Sequence, residues 1–233
     1  RKGKRNMSWR ADKPATLAYV EALDGGDPAN KVEFRDELFL WNAPFDAAAT
    51  SLVKTPQRYD RIIWGNDNVA IISDEWYDTR NTKTYVINPS NPSQGPKVIF
   101  DRNAQDAYSD PGNFETRKNQ YNRYVLAIEN DNAYLIGNGF TKNGQFPFIS
   151  EFNLKTLQTN RLYTSTYKDK KEDLLEIEDF KKGTVLVQIQ SKNEYPNYYL
   201  RNFKQKNKLT PITAFKNPFE SIKNVNKEVI KYK

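Results

Sequence analysis

Four short β-signals follow one another between Arg61 and Arg102, and this run constrains the fold more than any other stretch of the chain. They are Ile62-Ile63-Trp64, Val69 to Trp76, Thr84 to Asn88 and Lys97 to Phe100. Between them lie Asn66-Asp67-Asn68, Asp78 to Lys83, and Pro89 to Pro96. Asn, Asp, Gly and Pro fill such gaps because they accept or preset tight-turn dihedrals. Four strands joined by short hairpins make one blade of a β-propeller. A chain built on one blade is expected to repeat it.

The repetition is present. An earlier unit contains the strand candidates Thr16 to Ala22, Asp36 to Asn42 and Ser51 to Thr55, and its WRADKPATLAYV stands beside the later WGNDNVAIIS. A polar connector from Asn103 to Asn122 interrupts the pattern. Loops of that length in compact domains are usually functional or mobile. The pattern resumes with Tyr124 to Ile128, Ala133 to Gly137, Pro147 to Leu154 and Arg161 to Ser165, where ENDN echoes the turn GNDN. A fourth unit offers Leu174 to Asp179, Thr184 to Gln190, Tyr198 to Phe203 and Leu209 to Phe215. Recurrence at roughly 50 residues with four strands per unit predicts an all-β chain, a β-propeller of four-stranded antiparallel blades. A two-sheet sandwich would not repeat a first strand, a polar turn and an apolar second strand. The expected blades are 7–58, 59–102, 123–166 and 173–216, with 217–233 as a final segment whose strand runs from Glu228 to Tyr232.

Charge is unevenly distributed. Basic and acidic residues balance over residues 1–160, so the formal excess of +7 falls in the remainder. The Lys-rich runs there, Lys168 to Lys171 and Lys204 to Lys208, read as solvated hairpin tips that protect sheet edges. No nucleic-acid-binding motif accompanies them, so no nucleic-acid partner is expected. No apolar run reaches membrane-spanning length. The chain opens on RKGKRN rather than Met and is expected to be part of something longer. A bacterial periplasmic or secreted setting is favoured over a cytoplasmic one.

The chain has no His and no Cys. That removes Ser-His-Asp and Cys-His catalysis and most zinc sites. No G-x-S-x-G, P-loop or G-x-G-x-x-G occurs either. Catalytic residues, metals and cofactors are therefore not expected in this chain. Asp74, Glu75 and Asp78 around Trp76-Tyr77 could suggest glycoside hydrolysis, but successive strand residues face opposite ways and would separate Asp74 from Glu75. Asp24 to Asp27 and Asn66 to Asn68 could suggest calcium, yet the loop with a closing Glu is missing. Asx turns explain both runs. Trp9, Trp64 and Trp76 are expected to pack between blades, and Trp41 to be exposed. Arg80 in YDTRNTK and Arg35 in FRDE sit beside acids near strand ends, where an Arg could bind a carboxylate bidentately.

Several phrases, taken together, resemble one family. SWRADKPATLAYVEALDGGDP, IIWGNDNVAIISDEWYDTRNTKTYVINP, IFDRNAQDAYSDPGNFETR and KLTPITAFKNPFESIKNVNKEVIKYK are similar to the propeller of prolyl oligopeptidase family serine peptidases, in the glutamyl endopeptidase branch. EALDGGDP and the WYDTR region are the most specific, and 167–208 is the weakest part. The resemblance implies a propeller that precedes a catalytic α/β-hydrolase domain in cis and limits which peptide substrates reach it. VIKYK resembles the segment that crosses into that domain. The family's catalytic residues match no position here. For an acidic substrate group, Arg80 and Arg10 are the candidate cations. A stand-alone propeller, an adaptor or carbohydrate-binding module, is the alternative. Missing blades would expose sheet faces, which makes self-association a further expectation.

Overall fold

The computed structural model describes residues 3–205, 208–219, 221, 230 and 232. Sheet one is a meander of β1 (Arg5–Trp9), β2 (Thr16–Ala22), β3 (Asp36–Asn42) and β4 (Thr50–Thr55). Sheet two repeats it with β5 (Arg58–Asn66), β6 (Val69–Trp76), β7 (Asn81–Ile87) and β8 (Lys97–Asn103). Neighbouring strands within both meanders are antiparallel. The turn between β7 and β8 contains a single 3-10 turn, Pro92–Gln94.

The connector after β8 is structured. It carries β9 (Asn113–Phe114) and β10 (Thr116–Lys118), and β10 forms a hairpin with β11 (Tyr124–Leu126). Next come β12 (Ile128–Glu129), β13 (Asn132–Gly137), β14 (Phe140–Thr141), β15 (Gly144–Gln145), β16 (Phe148–Asn153) and β17 (Thr159–Thr164). Sheet three has the order β12-β13-β16-β17, with β9 also paired to β13. The strand expected from Tyr124 to Ile128 is therefore split. Glu115 N–H donates to Tyr134 O at 2.8 Å and Ala127 N–H donates to Glu115 O at 3.0 Å, so the connector takes part of the edge of β13. Gly112 begins this insertion at φ +89, and a Cβ there would lie 2.5 Å from Ile136 O. Only Gly accepts both conditions.

Sheet four is the meander β18 (Lys170–Asp179), β19 (Thr184–Ser191), β20 (Asn197–Asn202) and β21 (Lys208–Pro211). The strand expected from Glu228 to Tyr232 includes Glu228, Val229 and Lys231, which lie outside the described residues. The fold is all-β, built from four-stranded antiparallel sheets, the third of which gains β9 as a fifth strand.

By contact density the chain divides into two compact units, residues 1–137 with 149–161, and residues 138–148 with 162–233. In the first unit, β6 explains the apolar run VAII. Ala70 and Ile72 face Ala18, Val20, Leu38 and Leu40 of sheet one, together with Trp64, Tyr85 and Ile87. Ile71 faces the other way, toward Leu126 and Ala133. Sheet two is thus buried on both faces, which a continuous apolar strand permits and an alternating one does not. Phe114 and Phe152 meet edge-on at 5.8 Å in the second of these layers.

In the second unit, sheet four buries Leu174, Ile177, Val185, Val187 and Ile189. It also buries a charge. Arg201 Nε donates to Glu172 Oε1 at 2.7 Å, and Tyr163 OH donates to Glu172 Oε2 at 2.6 Å. The fully buried carboxylate is acceptable because both oxygens are bonded. The nearby lysines behave as an edge run should. Lys170 pairs with Glu194 at 2.6 Å and Lys171 with Asp173 at 2.8 Å.

Candidate functional site

Within the first unit, a layer of ion pairs closes one end of sheets one and two. Asp24 follows β2 and Asp36 starts β3; both side chains are wholly buried. Arg35 Nη1 donates to Asp24 Oδ2 at 3.0 Å. Arg58, at the start of β5, bridges both acids, with Nη2 on Asp24 and Nη1 on Asp36 Oδ1 at 2.9 Å. Arg5 also pairs with Asp36, whose Oδ2 accepts Tyr59 N–H at 2.7 Å. Burial pushes the Asp24 carboxyl up, but Arg58, the Gly26 N–H and Arg35 outweigh it and hold it below the ordinary value. Breaking such a bonded buried pair leaves an uncompensated charge, so this layer ties the start of β3 to the start of β5.

Beside this layer lies a groove of about 760 Å3, lined by Arg5, Arg58, Glu75, Trp76, Tyr77 and Asp78 among others. Arg35 stacks on the Trp76 ring at 3.8 Å, and Arg80 on the Tyr77 ring at 3.6 Å. The groove thus offers aromatic faces, two partly exposed guanidiniums and two carboxylates. That set suits a ligand with charged or hydrogen-bonding groups.

The two sequence-derived arginines fall in different places. Arg80 is in the turn after β6 at φ +56, and no carboxylate is paired with it among the described residues. Arg10 is 5% exposed. Its Nε and Nη2 grip Asp12 at 2.8 Å each, and its guanidinium lies 5.0 Å from the Trp64 ring centre. Arg10 is therefore engaged internally, away from the groove.

The carboxylates divide as strand geometry requires. Glu75 and Asp78 line the groove, whereas Asp74 has no exposed surface and accepts from Gln57 N–H and Tyr85 OH, both at 3.1 Å. Asp24 and Asp27 cap Gly26 N–H and Ala29 N–H at 2.9 Å, and Asn66 caps Asn68 N–H at 2.9 Å, so these runs are Asx turns. Among the described residues no group of three His, Cys, Asp or Glu is placed to hold a metal ion. No described helix is long and apolar enough to cross a membrane. Two tryptophan expectations need correction. Trp9 is 50% exposed, because it sits on the edge strand β1. Trp41 is half-buried, with Nε1 donating to Ala47 O at 2.8 Å and its ring packed edge-on against Phe45. The sequence does not single out Arg58 or Asp36 as site residues, and it marks Asp24 only as part of a turn. Their partners lie 22 and 34 positions from Arg58, and no local pattern announces such a contact.

No protein-family model matches the chain. Among curated proteins it is 34% identical over 250 residues to a probable chloroplastic glutamyl endopeptidase of Oryza sativa subsp. japonica. It is also 34% identical over 251 residues to the corresponding protein of Arabidopsis thaliana. Both alignments cover 100% of this chain and 26% of the relative. Over its whole length the chain is similar to part of these two glutamyl endopeptidases. The resemblance to the glutamyl endopeptidase branch carried by EALDGGDP and the WYDTR region is borne out, and the chain spans about a quarter of the length of these relatives. Among solved structures it aligns with the β-propeller domain of the Trilobed protease from Pyrococcus furiosus at a TM-score of 0.47 and 9% identity, covering 89% of this chain and 57% of that one. Oligopeptidase B from Trypanosoma brucei aligns at a TM-score of 0.44 and 7% identity, covering 93% of this chain and 35% of that one.

Proposed function

We propose that this chain is the non-catalytic propeller region of a prolyl oligopeptidase-like serine peptidase, and that it gates peptide access to a catalytic α/β-hydrolase domain in cis. The observation that carries the reading is the 34% identity to glutamyl endopeptidases along the entire chain. The lack of His, Cys and a nucleophile elbow in the sequence supports placing bond cleavage elsewhere. A gate acts by size. Folded proteins are excluded by a narrow passage, whereas selecting an acidic side chain needs a cation and a desolvated pocket.

Of the two candidate cations, Arg80 is free of acidic partners among the described residues and stands beside the groove through Tyr77. Arg10 is held by Asp12. In the full-length protein, Arg80→Ala is expected to lower kcat/KM for peptides with an acidic side chain at the cleavage position by about ten-fold, the loss of one charge-assisted hydrogen bond. Neutral peptides are expected to change little. Equal losses on both substrates remove Arg80 from substrate selection. Gating itself is tested by offering one cleavage sequence as a short peptide and inside a folded domain. Comparable cleavage of both by the native enzyme rules out a gate.

A further inference from the structure

In the second unit a groove of about 640 Å3 is lined by the β14–β15 hairpin and by residues at and just before the start of β18. The hairpin contributes Asn143 and Gln145, and the other side contributes Tyr167, Lys168, Lys170 and Lys171. No residue lining the groove is acidic. It lies in the part of the sequence that holds the excess of positive charge.

Two of the three lysines are committed elsewhere. Lys170 Nζ donates to both oxygens of Glu194, at 2.6 and 2.8 Å. Lys171 Nζ donates to Asp173 Oδ2 at 2.8 Å. Lys168 is exposed, and its ammonium has no partner among the described residues. Asp169, the next residue, is exposed and does not line the groove. The side-chain amides of Asn143 and Gln145 are also without partners among the described residues.

Tyr167 is positioned from the core. Its hydroxyl oxygen accepts from Arg201 Nη2 at 3.2 Å. Arg201 is 5% exposed and is itself held by the buried Glu172. A phenol that accepts from a guanidinium keeps its own hydrogen to donate. The groove therefore offers an unneutralised ammonium, a phenolic donor held by a buried ion pair, and two free amides.

We propose that this groove binds an acidic, extended segment of polypeptide, with a carboxylate on Lys168 and the Tyr167 hydroxyl and with main-chain groups on the amides of Asn143 and Gln145. Charge complementarity sets the sign of the ligand. The amides set its kind, because they donate and accept as a peptide main chain does, whereas phosphate oxygens only accept. This contact uses residues other than Arg80 and the groove beside Asp24. It concerns binding by this chain, so it stands or falls separately from the assignment of bond cleavage to another domain.

The test is fluorescence anisotropy of a labelled peptide of alternating Asp and Glu titrated with the full chain. The acidic peptide is expected to bind, and its Asn/Gln counterpart to bind at least about ten-fold more weakly. Lys168→Ala is expected to weaken the acidic peptide about five-fold, the upper end for one exposed ion pair. Its urea midpoint is expected to stay unchanged, since Lys168 holds nothing in the fold. Lys97→Ala removes the same charge from an exposed position on β8 outside the groove, and binding is expected to persist. Absence of binding, equal binding of the neutral peptide, or equal losses in the two variants overturns the proposal. Tighter binding of a single-stranded oligonucleotide of equal charge also overturns it, in favour of a nucleic-acid site. If Lys168→Ala does not fold, hydrogen exchange of the native chain decides. Slowing at 143–146 and 167–171 on adding the acidic peptide supports the groove, and slowing confined to other residues overturns it.

Discussion

Arg10 and Arg80 carry the same guanidinium into opposite circumstances, and substitution should separate them. Arg10 is bonded twice to Asp12 and lies over Trp64, with both charged side chains under 10% exposed. Arg10→Ala leaves Asp12 buried without its partner and is expected to cost about 3 kcal/mol, read as a lowered denaturant midpoint. Arg80 sits in a left-handed turn conformation that costs a non-Gly residue about 1 kcal/mol. Arg80→Gly is therefore expected to keep or raise the midpoint while removing the cation. Loss of acidic-peptide selection in that variant could not be ascribed to unfolding. The contrast was not legible from sequence. Both residues sit beside acids in polar turns, WRAD and YDTR, and only the fold decides which acid is in reach.

At the scale of elements, the strand meanders were legible wherever a turn motif separates two apolar runs. IIWGNDNVAIIS gives β5, its turn and β6 because one apolar run breaks on Asx residues and a second apolar run follows. The connector after β8 was not legible. Its short strands β9 and β10 contain two and three residues, too few for a period to register. What holds them is tertiary. Arg123 donates to Lys13 O at 2.8 Å and to Arg10 O at 3.3 Å, and Asn119 donates to Ala11 O at 2.8 Å. These bonds tie the β10–β11 hairpin to the turn after β1 across more than a hundred positions of sequence. Arg123→Ala is expected to cost about 2 kcal/mol, the range for hydrogen bonds from a charged donor. Hydrogen exchange should quicken at Asn119 and Asn122, whose amides bond within the turn, and stay slow in β6. Unchanged exchange at 119–122 means the strap is held by packing instead.

For the molecule as a whole, repetition of a four-stranded unit and similarity to glutamyl endopeptidases lead to one account. The sheets form a scaffold, the ion-pair layer at Asp24 and Asp36 ties its first two members together, and the proposed function assigns covalent chemistry to another part of the full-length protein. The most direct test is to purify this chain alone and incubate it with a chromogenic peptide containing Glu at the cleavage position, alongside the full-length protein. The account predicts hydrolysis by the full-length protein and none above buffer by the chain. Turnover that follows the folded chain through purification and is lost on its denaturation would contradict it.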